Sequence, residues 1–206
     1  MTDYKDYGWE EGATNAHGYL YPTLYEMLAP YKGSRILDVG CGNGVIASRL
    51  LADGFDVYGI DASESGINIA NAKHPGRFFV QDISSEKLPE PLAAMQFDLV
   101  ISTEVIEHIY APRTYMKFIR NVLNTGGVLI ISTPYHGYLK NLVLALTSKM
   151  DKHFVVLWDG GHIKFWSRQT LTTLLKEFSF ETVEFRGSGR LPFLWKSMFI
   201  SAKIVA

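Results

Sequence analysis

The chain has 206 residues, 47% of them hydrophobic and 20% charged, with a formal charge of −1. That balance suits one domain with a full core, and it leaves no bulk attraction for a phosphate backbone or an anionic lipid surface, so nucleic acid is not an expected partner. The single cysteine, Cys41, excludes an internal disulfide and a Cys/His zinc cluster, and a cytoplasmic location is expected.

Residues 1–18 carry Tyr4, Tyr7, Trp9 and His17 without a clean period, and the start lacks the basic-then-apolar order of a secretory leader. No apolar run has the length and continuity expected of a bilayer span. Helical spacing runs from Tyr19 to Leu28 and is closed by Pro30 and Gly33, so residues 1–32 read as an N-terminal helical lid region. RILDVG (35–40) predicts a short buried strand, followed by a glycine-rich turn and the helical VIASRLLADG. DVYGID (56–61) is a second strand, followed by the helical SESGINIANAKH. FFVQD (78–82) is a third, after which EKLPEPLAAMQ loops onward. FDLVIST (97–103) is a fourth, then the helix RTYMKFIRNVLN, then GGVLIIST (126–133) as a fifth.

Strands apolar on both faces, separated by helices, predict a parallel sheet covered on both sides, that is, a doubly wound α/β domain. Beyond the fifth strand come a helix at YLKNLVLALTSKM, a loop DKHFVVLWDGGHIKFW, a helix over 167–178 and two strands, ETVEFR and KSMFISAKIVA. The linker GSGRLPFLW does not read as a crossover helix, so the last two strands are expected to form an antiparallel hairpin at the sheet edge.

In such sheets ligands bind beyond the carboxyl ends of the strands. DVGCGNG places Gly40, Gly42 and Gly44 there, but Val45 stands where a dinucleotide fingerprint needs glycine, and no lysine completes a phosphate loop. A dehydrogenase is therefore disfavoured. Asp38 at the mouth of the turn would repel phosphate and accept from an ammonium. Asp61 has two oxygens for the hydroxyls of a ribose, and Asp82 suits an adenine amine, with Ala62 and Ile83 as apolar walls; the alternative use of each aspartate is to cap the helix that follows.

ILDVGCGNG, VYGIDAS, FVQDI, FDLVISTEVIEHI and LNTGGVLIISTP resemble, in order, the motifs of the class I S-adenosylmethionine-dependent methyltransferases. TEVIEHI and GHIKFWSRQTLTTLLKEFSF are similar to the branch containing the ubiquinone-biosynthesis O-methyltransferases. The resemblance implies a Rossmann-like methyltransferase fold, a mostly parallel seven-stranded sheet with an antiparallel last strand, and S-adenosylmethionine as cofactor. It places Asp38, Gly40 and Gly42 on the methionine part, Asp61 and Ala62 on the ribose and adenine edge, Asp82 and Ile83 on the adenine, and Thr103 along the sulfonium. His17 and Tyr19 would close over the cofactor.

A sulfonium methyl is already activated, so such an enzyme chiefly aligns the acceptor and excludes water, and a base matters only for a protonated acceptor. If a helical turn starts near Thr103, Glu104 and Glu107 form an i,i+3 pair with His108 four residues from Glu104. Three uses then stay open: Glu104, Glu107 and His108 hold a divalent ion such as magnesium, His108 is a base oriented by Glu104, or the group caps a helix start. Residues 134–166 read as an acceptor-site insertion carrying Tyr135, His136, Tyr138, His153, Trp158, His162 and Trp166. His162 is a further catalytic candidate, and Arg190 a contact for an anionic acceptor. The expected acceptor is a small molecule methylated at oxygen, in a phenol, hydroxyl or carboxylate; N- or C-methylation, or cofactor binding without turnover, are the alternatives.

Overall fold

The computed structural model describes residues 8–205 apart from 84, 86 and 155. Tyr4 and Tyr7 of the expected lid lie outside the described residues. The strands are β1 (Arg35–Val39), β2 (Asp56–Asp61), β3 (Phe78–Val80), β4 (Phe97–Thr103), β5 (Leu123–Pro134), β6 (Phe180–Ser188) and β7 (Ser197–Ile204). They form one sheet in the order β3-β2-β1-β4-β5-β7-β6, with β1 to β5 parallel and β7 antiparallel to both of its neighbours. The doubly wound sheet and its antiparallel last strand are as expected. Here the hairpin docks through β7, which leaves β6 at the edge.

The apolar runs follow from this placement. Alternate residues of β1 enter two cores: Leu37 and Val39 meet Val100, Leu129 and the helix α4 (Pro112–Val122), while Ile36 meets Leu99, Ile101 and the helices α1 (His17–Leu28) and α2 (Val45–Ala52). Each fully buried Leu, Ile or Val contributes about 1.5–3 kcal/mol by leaving water, and a strand with both faces covered has no polar side to show.

Helix α3 (Glu64–Lys73) begins where the Ser63 hydroxyl accepts from the Gly66 amide at 3.2 Å, and α7 (Arg168–Glu177) begins at a reciprocal Ser167–Thr170 capping box. Several boundaries depart from the sequence reading, among them the start of β5, which at Leu123 takes the end of the expected helix RTYMKFIRNVLN. The helix starting at Tyr138 stops at Leu146 (α5, Tyr138–Leu146), and a second short helix, α6 (Met150–Phe154), occupies part of the expected loop. Strand β3 ends at Val80, so Asp82 lies beyond the strand rather than closing it. No helix among the described residues is long and apolar enough to cross a membrane.

The order of strands fixes where a ligand binds. The chain winds outward from β1 through β2 to β3, then returns to the other side of β1 with β4, so the connections leaving β1 and β4 diverge and open a crevice. Asp38 pairs with Ile101 in register, which sets the glycine turn beside the TEVIEHI segment at the mouth of that crevice.

Candidate active site

Gly40, Gly42 and Gly44 have φ of 79°, 53° and 71°, a backbone region that disfavours residues with a Cβ. The turn is also crowded: a Cβ on Gly40 would lie 2.4 Å from Val105 Cγ2, and one on Gly42 would lie 2.5 Å from Trp9 Cζ2. Asp61 fastens the turn to the following helix, accepting from the amides of Gly42 and Ser63 at 2.8 Å each. A carboxylate oxygen has more than one acceptor site, so Asp61 keeps the capacity to receive ribose hydroxyls while it caps. Ala62, Asp82 and Ile83 are half-buried along the same rim, and the Gln81 amide donates to the Asp61 carbonyl at 2.8 Å, tying the exits of β2 and β3 together.

Asp38 is buried at 1% exposure, and its Oδ1 has no hydrogen-bond partner. Burial, helped by the neighbouring charge of Asp61, raises its pKa to about 8. An orphaned buried carboxylate beside a glycine turn fits the ammonium of an amino-acid moiety, and with Asp61 the set fits an adenosyl amino acid.

The segment before α1 lies across this turn. Trp9 rests against the positions of Gly42 and Gly66, and the Asn43 amide donates to the carbonyls of Glu10 and Gly12 at 2.8 and 2.9 Å. Composition alone gave no reason to single out Asn43. The two lid candidates part company here. His17 Nδ1 accepts from the Thr14 amide at 2.9 Å, with Arg49 of α2 nearby. The Tyr19 ring meets Lys196 at 4.6 Å, and its hydroxyl is held up in pKa by burial and by the charge of Glu104.

At the exit of β4, Thr103 is half-buried and the next residue, Glu104, takes φ 56°. This left-handed step turns the chain, so no helical turn starts at Thr103; a 3-10 turn over Ile106–His108 follows instead. The i,i+3 pairing expected of Glu104 and Glu107 therefore does not form. Glu104 is bolted to the sheet, its Oε1 accepting from Ser132 Oγ at 2.8 Å and its Oε2 from Ser197 Oγ at 2.9 Å. Glu107 is fully buried: Oε2 accepts from Thr133 Oγ1 at 3.0 Å, while Oε1 has no hydrogen-bond partner and lies 4.0 Å from His162 Nε2. Its carbonyl accepts from the amides of Ile163 and Lys164, which pins GHIKFW against the β4 exit.

His108 Nδ1 meets the Gly160 carbonyl at 2.9 Å, so Nδ1 carries the proton and Nε2 the lone pair. One ligand atom each from Glu107, His108 and His162 lie within 4.8 Å of one another. Three ligand atoms around one small divalent ion sit roughly 3–3.6 Å apart at bonds of about 2.1 Å, so the set would have to draw in to hold an ion. His162 thus takes the place beside Glu107 and His108 that the sequence reading gave to Glu104. Burial raises both glutamates above the usual carboxylate range, Glu107 further through the charge of Glu104. Burial lowers His108, and burial with His108 beside it lowers His162 to about 4. Both imidazoles are therefore neutral near pH 7, as ligation or proton acceptance requires. The supporting hydroxyls of Ser132, Thr133 and Ser197 were missed in the sequence; their one signal was a polar residue in an otherwise apolar strand.

A family model described as a methyltransferase domain matches residues 14–184. A ubiquinone biosynthesis O-methyltransferase of Roseobacter denitrificans is 34% identical over 172 residues, covering 81% of this chain and 67% of that protein. One of Ruegeria sp. (strain TM1040) is 32% identical over 175 residues, covering 82% of this chain and 68% of that protein. Among solved structures, the magnesium protoporphyrin IX methyltransferase of Synechocystis PCC 6803 with bound SAH gives a TM-score of 0.70 at 18% identity, over 95% of this chain and 90% of that one, a likeness of fold.

Proposed function

Because the chain belongs to the methyltransferase-domain family and is an S-adenosylmethionine-dependent methyltransferase, we propose that the atom it methylates on its small-molecule acceptor is an oxygen. The observation that carries this reading is the grouping of Glu107, His108 and His162 at the β4 exit, with a buried glutamate oxygen that has no hydrogen-bond partner. A hydroxyl must shed its proton as it is methylated, and this group is built to receive one. The relatives named as O-methyltransferases support the same reading.

The cofactor, when bound, supplies a methyl group already activated on sulfur. Asp38 would hold its ammonium and Asp61 its ribose, with Gly40 and Gly42 permitting close approach and Ala62, Asp82, Ile83 and Thr103 flanking it. Trp9, held through Asn43 and Ser65, screens the glycine turn from water. His108, its tautomer fixed by Gly160, presents a lone pair for the acceptor proton, and Glu104 acts as a positioning residue through Ser132 and Ser197. In the alternative arrangement Glu107, His108 and His162 would hold a divalent ion that acidifies an acceptor hydroxyl, and the His108 lone pair would then serve as a ligand and not as a base. Residues 134–154 and 156–166 would line the acceptor side of the cleft, and 8–32 its lid side.

The test is methyl transfer from labelled S-adenosylmethionine to matched phenols, alcohols, carboxylic acids and amines, with and without excess chelator. Transfer to hydroxyl or carboxyl oxygen is expected; loss on chelation with restoration by a divalent ion would assign His108 as a ligand, and retained activity would assign it as the base. Transfer to amines alone would overturn the oxygen assignment, and full activity in chelator would remove the ion.

A further inference from the structure

Helix α5 is turned inside out. Its one fully buried residue is Lys140, which donates to the Lys196 carbonyl at 3.3 Å, while Leu139, Leu142, Val143 and Leu146 are exposed. These four stand at i, i+3, i+4 and i+7, the spacing of a continuous stripe along one side of a helix, and such a stripe ordinarily faces a core. Helix α6 packs on α5, and the residues after it add Val156 and Leu157, 85% and 94% exposed, to the same apolar surface. Phe165 meets Phe154 of α6 at 4.9 Å between ring centres, which joins the GHIKFW segment to it.

Size and charge indicate what covers this face. A whole aromatic side chain presents roughly 150–250 Å² and an aliphatic one somewhat less, so the exposed fractions from Tyr138 to Phe165 amount to on the order of 1,000 Å². The largest apolar patch on a monomer is about 300–600 Å², whereas each partner in a stable interface covers about 800 Å². Lys149 and Lys152 stand in this face with Asp151 and Asp159, all four exposed. In a two-fold contact residue i of one copy meets j of the other and j meets i, so a face of mixed sign can pair with itself. An anionic bilayer attracts clustered basic residues, and here it would meet two aspartates on a chain of net charge −1.

The face also reaches the site. Trp158 is half-exposed at its margin, and the centre of its ring lies 6.1 Å from those of both His108 and His162. Its carbonyl accepts from the Gly161 amide at 3.0 Å, beside the Gly160 carbonyl that meets His108 Nδ1. A partner seated on α5 and residues 156–158 therefore covers this ring.

We infer that the chain pairs with a second copy of itself through the outward stripe of α5, with α6 and residues 156–158, in a two-fold contact that covers Trp158 and shuts water out of the acceptor side of the cleft. The contact stands on the exposed face alone; its part in excluding water rests on the methyltransferase reading.

The test is sedimentation equilibrium of the full chain without detergent, from low to high micromolar concentration, repeated for L146E and L157E. Binding of S-adenosylhomocysteine is measured calorimetrically on the same samples. Both leucines lie mostly in water in the single chain, so the variants keep the fold and the native affinity for S-adenosylhomocysteine. A dimer is expected for the native chain, with its dissociation constant raised about tenfold or more in each variant, because a glutamate charge would enter the contact. Acrylamide quenching of Trp158, read as the difference between the native chain and W158F, is expected to fall as the dimer forms. A native chain that stays monomeric, or a dimer that both variants leave intact, would overturn the contact. A monomer that binds phosphatidylglycerol vesicles, and loses that binding in L146E and L157E, would overturn it in favour of lipid. A dimer in which Trp158 is quenched as in the monomer would overturn the covering of the cleft. Dimerisation without S-adenosylhomocysteine binding would instead sink the methyltransferase reading and leave the contact standing.

Discussion

Replacing Asp38 by Asn separates what this carboxylate costs the fold from what it gives the ligand. Its pKa rises from an ordinary 3.8 to about 8 in the folded chain, chiefly through burial. The folded state therefore binds a proton that the unfolded chain releases, and stability is lost as pH rises from the lower value to the higher. Each pH unit between them costs about 1.4 kcal/mol, which accumulates to roughly 4 kcal/mol at pH 7 as an upper bound. Asn is neutral throughout, so D38N should melt higher than the native chain, by up to roughly 10 °C at pH 7 for a domain of this size and by much less at pH 5. The same change should weaken S-adenosylhomocysteine by about 10- to 150-fold, the worth of a charged hydrogen bond of roughly 1.5–3 kcal/mol. Methylthioadenosine, which lacks the ammonium, should bind both proteins alike. Melting curves across pH and calorimetry with the two ligands make the check. A stability difference that does not change with pH, or equal weakening of both ligands, would refute the placement of Asp38 against an ammonium.

Two further outcomes test the remaining parts of the cleft. His108 is lowered from 6.5 by burial, so it stays neutral down to mildly acidic pH, and the acid limb of kcat should lie below pH 6.5 with a plateau by pH 7; a limb centred near 7.5, or a profile unchanged in H108Q, would count against its role as proton acceptor. Gly42→Ala places a Cβ 2.5 Å from Trp9 Cζ2 at φ 53°, so the indole must leave the turn; tryptophan fluorescence should shift and S-adenosylhomocysteine affinity fall at least tenfold, and native affinity in G42A would disconnect the turn from the cofactor.

The sheet was legible because burial on both faces writes an unbroken apolar run, and RILDV, DVYGID and FDLVIST each became a strand within a residue or two of the expected bounds. The aspartates at the β1 and β2 exits were legible for the same reason, since a charge ending such a run has few places to go. TEVIEHI was not. Its helical reading failed on the single left-handed residue Glu104, and what holds that residue lies 28 and 93 positions away, at Ser132 and Ser197. No local pattern encodes such distant contacts. His162 meets Glu107 for a similar reason: the two approach only because GHIKFW is pinned by amide bonds to a backbone carbonyl. Helix α6 has five residues, too few to display a period.

The two glutamates of TEVIEHI differ in one respect that decides between structure and chemistry. Glu104 has a donor on each oxygen and a backbone turned to suit them, so it behaves as a bolt between β4, β5 and β7. Among the buried carboxylates of the described residues, only Asp38 and Glu107 have an oxygen without a hydrogen-bond partner. Each such oxygen costs about 1–3 kcal/mol, against a total stability of roughly 5–15 kcal/mol for an ordinary domain. A cap or a loop anchor would not leave that cost standing, because its function is to satisfy donors. Asp38 stands near the end of β1 at the mouth of the glycine turn, and Glu107 in the 3-10 turn that follows the adjacent β4, its unpartnered oxygen 4.0 Å from the His162 imidazole. Two adjacent strand exits thus each carry a buried carboxylate oxygen that the fold leaves without a donor.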